Sequence, residues 1–234
     1  MSTFAHPTDC LTCQYRSQRM FCNLAPGALA DFNRLGTLVM LPTGATVIRE
    51  GDPCDRVLVI CTGQALLSCG SSVGRVLNIK VALSGDVLGL SAAMSNTPSE
   101  ATAVTLEPTF LKIVVSSQFI AFLGRHGEAS MHAAQWLAQE YNSSFHAAYR
   151  LAMSGSIAAR VAGLLLDWGR SASCGQCQMA FKMAFTHDDL AGFVGTTRET
   201  ITRTLGEFQK KELISIRGAM VHILSESKLA RLAV

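Results

Sequence analysis

The chain has 234 residues, of which 49% are hydrophobic and 16% charged. That is ample apolar surface for a folded core and excludes a disordered chain. The formal net charge of +3 lies wholly in residues 155–234, which hold ten Lys/Arg against seven Asp/Glu, while the first 154 residues balance. A basic excess confined to one end suits a module that meets phosphates.

In chain order, residues 1–23 are rich in cysteine and lack periodicity, so they read as an arm or loop. They contain no apolar stretch of the kind a secretory leader needs, and no apolar run in the chain approaches the ~20 residues of a membrane span. The expectation is a cytoplasmic protein that does not enter a membrane. Residues 26–38 carry Leu29, Phe32, Leu35 and Leu38 at three-residue steps, which predicts a short helix.

From 39 to 115 short β-rich runs alternate with glycine-centred turns, at 39–41, 46–48, 57–61, 65–68, 76–81, 101–106 and 110–115. This spacing predicts an all-β sandwich or barrel. From Ser116 onward the pattern turns helical. Met131, Ala134, Ala138, Tyr141, Phe145, Ala148 and Ala152 recur at alternating steps of three and four, a heptad seam. One helix packed on its own barrel would show this seam, and so would a parallel dimer with these residues as its interface. Met153-Ser-Gly155-Ser156 ends the helix and marks a hinge. Residues 157–169 are a further amphipathic helix, 171–178 a polar turn, and 179–186 a short strand.

Thr186 is an N-cap with Asp188 and Asp189 in the first turn, where the helix dipole favours negative charge. That helix ends near Phe193 or Val194, and Gly195 supplies a tight turn. A second helix spans 198–210, buries Ile201, Leu205 and Phe208, and sets Arg198, Glu199, Thr202 and Arg203 on its other side. Arginine bonds bidentately to guanine and a glutamate accepts from cytosine N4, so this face can read a major groove. Thr196, Thr197 and Thr200 can donate to phosphates. Residues 213–216 and 220–223 form a hairpin wing with Arg217 near the DNA backbone. An ordinary helical hairpin with a charged face is the alternative.

Residues 185–224, and above all Val194-Gly-Thr-Thr-Arg-Glu-Thr-Ile-Thr-Arg-Thr-Leu-Gly-Glu-Phe208 with Lys211-Glu-Leu-Ile214, resemble the DNA-binding motif of the CRP/FNR family of bacterial transcription regulators. Arg49-Glu-Gly-Asp52, residues 57–63 and Gly85-Asp-Val-Leu-Gly-Leu90 are similar to landmarks of that family's β-roll. The resemblance covers about 200 residues. It implies an α+β fold: a cyclic-nucleotide-binding-type β-roll sensor at 24–125 behind the arm at 1–23, a dimerisation helix and hinge at 126–154, and a winged helix-turn-helix at 155–234. It further implies a homodimer on a near-palindromic DNA site, Arg198, Glu199 and Arg203 as base readers of TGTGA-like half-sites, and RNA polymerase as a partner. A cyclic-nucleotide-binding module without DNA binding would lack that reading face. No phosphate loop, Gly-x-Ser-x-Gly or His-Glu-x-x-His suggests an enzyme.

Two effectors follow from the resemblance. The family's cyclic-nucleotide cassette pairs the phosphate with an Arg. Here Gly85-Asp86 is followed by Ser99 and Glu100 at that place, which argues against a cyclic nucleotide. Cys10-x2-Cys13-x8-Cys22 is similar to the N-terminal trio of FNR-type sensors and implies an iron–sulfur cluster responding to redox state, oxygen or nitric oxide. Those sensors take a fourth ligand from the β-roll, and the position that aligns with it, near Leu111, is not cysteine. Cys54, Cys61, Cys69, Asp9 and His6 remain candidates. A regulator without a cluster, answering a small molecule or thiol oxidation, is the alternative. His126, His132 and His146 stand in no haem motif. Cys174-x2-Cys177 reads as incidental or as a redox-sensitive dithiol.

Overall fold

The computed structural model describes residues 9–71, 74, 76–172, 179–183 and 185–233. Two compact units emerge, residues 1–72 with 79–143, and residues 73–78 with 144–234.

In the first unit, Pro26 opens helix α1 (Pro26–Arg34), where its fixed φ suits the first helical turn and its missing N–H has no helical partner to lose. Ala28, Leu29 and Phe32 face the core. The helix stops short of the expected residue 38. Gly36 adopts φ +63° and a Cβ there would overlap the Ile113 carbonyl, so the chain turns directly into a strand that contains Leu38.

The strands are β1 (Thr37–Leu41), β2 (Thr46–Ile48), β3 (Arg56–Thr62), β4 (Ala65–Gly70), β5 (Val76–Ala82) and β6 (Val87–Leu88). Helix α2 (Leu90–Ser95) intervenes before β7 (Thr102–Thr105) and β8 (Thr109–Val115). They form two four-stranded sheets, ordered β1-β8-β3-β6 and β2-β7-β4-β5. Every expected strand is present. β6 and α2 were not anticipated.

β3 shows how the layers stack. Leu58 and Ile60 join Ala65, Ala82, Ala103 and Leu111 between the sheets. Val57 and Val59 point the other way, into a second cluster with Phe21, Leu29, Phe32, Val114, Phe119 and Phe122. A strand covered on both faces reads as an unbroken apolar run, as Val57–Ile60 does. The second cluster is roofed by α1, by α3 (Ser116–Arg125) and by the start of α4 (Gly127–Met153), which buries Ala129, Ala133 and Trp136. The arm is part of it. Phe21 is fully buried, stacked on Phe119 at 5.4 Å between ring centroids and edge-on to Phe32 at 5.5 Å.

The second unit contains α5 (Ile157–Ala172), β9 (Ala180–Lys182), α6 (His187–Val194), α7 (Arg198–Lys210), β10 (Ile214–Arg217), β11 (Met220–Ile223) and α8 (Glu226–Leu232). The helical hairpin closes around Leu190, Phe193, Ile201, Leu205 and Phe208, all buried. Trp168 of α5 meets Phe193 edge-on at 5.3 Å and Phe185 at 5.2 Å, seating the hairpin on its support. The strands order β10-β11-β9, so the expected two-stranded wing gains a third strand. The expected hinge at 153–156 lies between α4 and α5.

Candidate nucleic-acid interface and cysteine chamber

The helix pair α6–α7 is fixed at its start by local chemistry. Thr186 and Asp189 form a capping box at α6, each side chain satisfying a backbone N–H of the other. Gly195 takes φ +66° and turns the chain, and Thr197 caps α7 through the Thr200 N–H. The Arg160 guanidinium donates to the Val194 carbonyl at 2.7 Å, satisfying an end carbonyl of α6.

Arg198, Glu199, Thr202 and Arg203 all lie exposed on α7, opposite its buried face. The Arg198 guanidinium is 3.7 Å from the Asp188 carboxylate, both about two-thirds exposed. Such a pair holds the side chain only weakly. The Glu199 carboxyl is held below its usual range, first by its own backbone N–H and then by the Thr197 hydroxyl, so it stays an acceptor. Thr202 differs from its three companions. Its hydroxyl donates to the Arg198 carbonyl at 3.0 Å and sits 2.8 Å from His187 Nδ1, tying α7 to α6. The role of His187 has no signal in the sequence, because it depends on the packing of two helices. Thr197 and Thr200 hydroxyls lie 3.2 Å apart, Thr196 is half-buried in the turn, and Arg217 is exposed at the wing tip beside Gly218.

On α4, Met131, Ala134, Ala138, Tyr141, Phe145, Ala148 and Ala152 are all exposed. The side chains that pack on the barrel are instead Ala129, Ala133 and Trp136. The two faces of one helix are thus separate, and the seam is not the face that covers its own sheet.

In the first unit Cys10, Cys13 and Cys22 line one cavity of about 280 Å³. Cys61 of β3 lines it too, with Asp9, Arg16, Arg19 and Lys112. Cys54 and Cys69 do not. The Cys54 thiol bonds the carbonyls of Gly89 at 3.2 Å and Arg56 at 3.3 Å, and Cys69 lies on β4 in the other sheet. The arm is held in place by the Cys10 N–H donating to Asn33 Oδ1 at 2.9 Å and by Phe21. Lys112 is 5% exposed, donates to the Asn33 carbonyl at 3.1 Å and lies 5.3 Å from the Phe32 ring centre.

Burial pushes the Cys22 thiol up to about 12 and the Cys61 thiol to about 11, each raised further by its neighbouring cysteines and drawn back by Arg19. Burial also raises Cys10, with Lys112 opposing. Thiols so placed are slow nucleophiles on their own. Among the described residues no group of three His, Cys, Asp or Glu is gathered for a single metal ion. A tetrahedral thiolate site around one zinc ion draws its sulfurs to within roughly 4 Å of each other. A cavity lined by four thiols and by three cationic side chains against one carboxylate, Asp9, suits a larger anionic core, the charge and donor type of an iron–sulfur cluster.

The cassette region offers a different environment. Asp86 pairs with Lys80 at 3.1 Å, and Lys80 also meets Glu140 of α4 at 2.5 Å and lies 4.9 Å from the Trp136 ring centre. Ser99 is buried and its backbone is bonded to Asp52 and Gly51. Of the described histidines, His126 pairs with Asp31 at 2.9 Å, and none lines the cysteine cavity. His6, Cys174 and Cys177 lie outside the described residues. No helix among the described residues is long and apolar enough to cross a membrane.

Two family models match the chain, a cyclic nucleotide-binding domain over residues 38–126 and a Crp-like helix-turn-helix domain over residues 159–232. The CRP-like cAMP-activated global transcriptional regulator of Mycobacterium tuberculosis is 24% identical over 218 residues, covering 92% of this chain and 96% of its own. The fumarate and nitrate reduction regulatory protein of Vibrio cholerae is 42% identical over 53 residues, 23% of this chain and 21% of its own. In fold, FixK2 from Bradyrhizobium japonicum aligns with a TM-score of 0.75 at 20% identity, over 86% of this chain and 98% of that one. The c-di-GMP responsive regulator CLP from Xanthomonas campestris aligns at 0.72 and 20% identity, over 86% and 100%. A barrel of two four-stranded sheets, a long helix and a capped helix-turn-helix, with both family models matched in that order, make this chain a member of the CRP/FNR family of transcription regulators.

Proposed function

We propose that this regulator is a homodimer acting in the cytoplasm, whose DNA binding is governed by an iron–sulfur cluster held by Cys10, Cys13 and Cys22. The observation that carries the reading is the gathering of these three thiols on one cavity beside Arg19 and Lys112. Spacing alone had left them as candidates in an arm without structure. When bound, the cluster would supply a centre sensitive to oxygen, redox state or nitric oxide. The protein's own part is to shield the centre. Phe21 and the α1–α3 aromatics seal the arm against the barrel, and Arg16, Arg19 and Lys112 offset the charge of the thiolates.

On the DNA side, α7 enters the major groove and Arg198, Glu199 and Arg203 read bases. Thr197, Thr200 and Arg217 meet the phosphates, with Thr196 beside them in the turn. Thr202 acts chiefly by holding the helix pair together, given its two internal partners. The exposed seam on α4 supports a parallel pairing of two chains, which sets two reading helices on half-sites about one helical turn apart. A cyclic nucleotide is a poor occupant of the cassette, where Asp86 is paired with Lys80 and Ser99 and Glu100 replace the phosphate-pairing arginine.

The test is anaerobic purification with iron and sulfide counts and an absorption spectrum, followed by a mobility shift on a selected duplex. A brown protein with stoichiometric iron and sulfide is expected. A colourless, iron-free anaerobic protein that binds its site would overturn the cluster.

A further inference from the structure

A trio of thiols leaves a four-coordinate cluster site one ligand short, and Leu111, the β8 residue that the family resemblance points to, cannot supply it. Leu111 is fully buried between the two sheets, on the face of β8 turned away from the arm. Its neighbour Lys112 takes the arm-facing place on that strand. Of the remaining candidates, Asp9 on the arm and Cys61 on the adjacent strand β3 line the cavity, and only Cys61 offers a fourth thiol. On β3, Val57 and Val59 face the arm while Leu58 and Ile60 face the inter-sheet core, and the alternation carries Cys61 to the arm side. There the ladder to β8 slips. Ile60 pairs with Leu111 and Thr62 with Phe110, so Cys61 is the extra residue of a bulge. Bulges re-aim a side chain at the end of a strand, often beside a site. Cys61 lines the same cavity as Cys10, Cys13 and Cys22 and lies within electrostatic reach of all three.

Resting on the cluster reading above, we propose that Cys61 is the fourth ligand, supplied by the β3 bulge of the barrel. As a ligand the Cys61 thiol would give up its proton to water and hold iron through Sγ. The consequence is mechanical. Three ligands sit on the arm and one on a central strand, so the occupied site clamps the arm to the sheet. Ile60, next to Cys61, exchanges backbone bonds with the Gly85–Asp86 turn at 2.7 and 2.9 Å, and Asp86 is paired through Lys80 to Glu140 of α4. The bulge therefore adjoins a connected set of polar contacts that ends on the helix bearing the seam.

The experiment uses full-length protein reconstituted anaerobically with ferrous iron and sulfide, comparing wild type with Cys61→Ala, Cys61→Val, Cys54→Ala and Cys69→Ala. Iron, sulfide and charge-transfer absorption are read on each, with far-UV circular dichroism as a check of fold. The expected result is wild-type content in the Cys54 and Cys69 variants and at least a fivefold loss of iron in both Cys61 variants, with unchanged dichroism. The apolar Val keeps β3 packed if Ala does not. Wild-type iron, sulfide and spectrum in a folded Cys61 variant would overturn the fourth-ligand assignment alone. Failure of wild type itself to take up iron and sulfide would overturn the cluster reading and this assignment with it.

Discussion

Arg198 and Arg203 stand one turn and a little apart on the open face of α7, and neither is locked by a buried partner. Each is free to turn its planar fork onto a guanine edge. Arg203→Ala should cost about 1–3 kcal/mol on the preferred duplex and relax preference at one base pair of each half-site. A mobility shift across single-base operator variants reads this, and unchanged preference would remove Arg203 from the reading set. Arg217→Ala should instead weaken all sequences alike and reduce the salt dependence, as a phosphate contact does. Thr186→Ala removes the hydroxyl half of the α6 capping box, leaving the backbone N–H of residue 186 on the Asp189 carboxylate, and should destabilise the second unit by about 0.5–2 kcal/mol, measured by denaturant titration.

At the scale of elements, α4 has two distinct faces. Phe145 and Tyr141 are 56% and 70% exposed on the seam face, while Trp136 on the other face donates its indole N–H to the Val87 carbonyl. Phe145→Glu should leave the barrel fold intact and convert a dimer to a monomer, seen by sedimentation. An unchanged sedimentation coefficient would assign the pairing to another surface. How much of this was readable from residues alone follows from the range of the forces involved. The bounds of α7 were legible because Thr197 and Gly195 act on their nearest neighbours. The end of α1 was not, because the three-residue steps through Leu35 and Leu38 outlast the helix. What stops it is Gly36 pressed against a strand almost eighty positions away in sequence. β6 is two residues long and has no period to detect. The arm read as a loop because its anchor is one aromatic, Phe21, whose partners Phe32 and Phe119 come from other elements. Cys61 was one candidate among several. The alternation Val57, Val59, Cys61 was present in the sequence, but only the placement of the arm says which side of β3 matters.

For the whole molecule, the cysteine cavity belongs to one unit and the capped helix α7 to the other, and α4 contributes residues to both. Loss of the arm's anchor should undo the first without touching the second. Phe21→Ala, a fully buried aromatic, should cost the first unit about 3–5 kcal/mol and speed the loss of iron in air. The α7 contacts, all in the other unit, should keep their non-specific, salt-dependent affinity for DNA. The most direct test of the central claim is fluorescence anisotropy of a labelled duplex carrying the selected site. It should be titrated anaerobically with the same protein before and after its iron has been removed by oxidant and chelator. The account predicts that the two isotherms differ in Kd by at least tenfold while non-specific binding stays the same. Superimposable isotherms, from a protein shown to have held and then lost its iron, would contradict it.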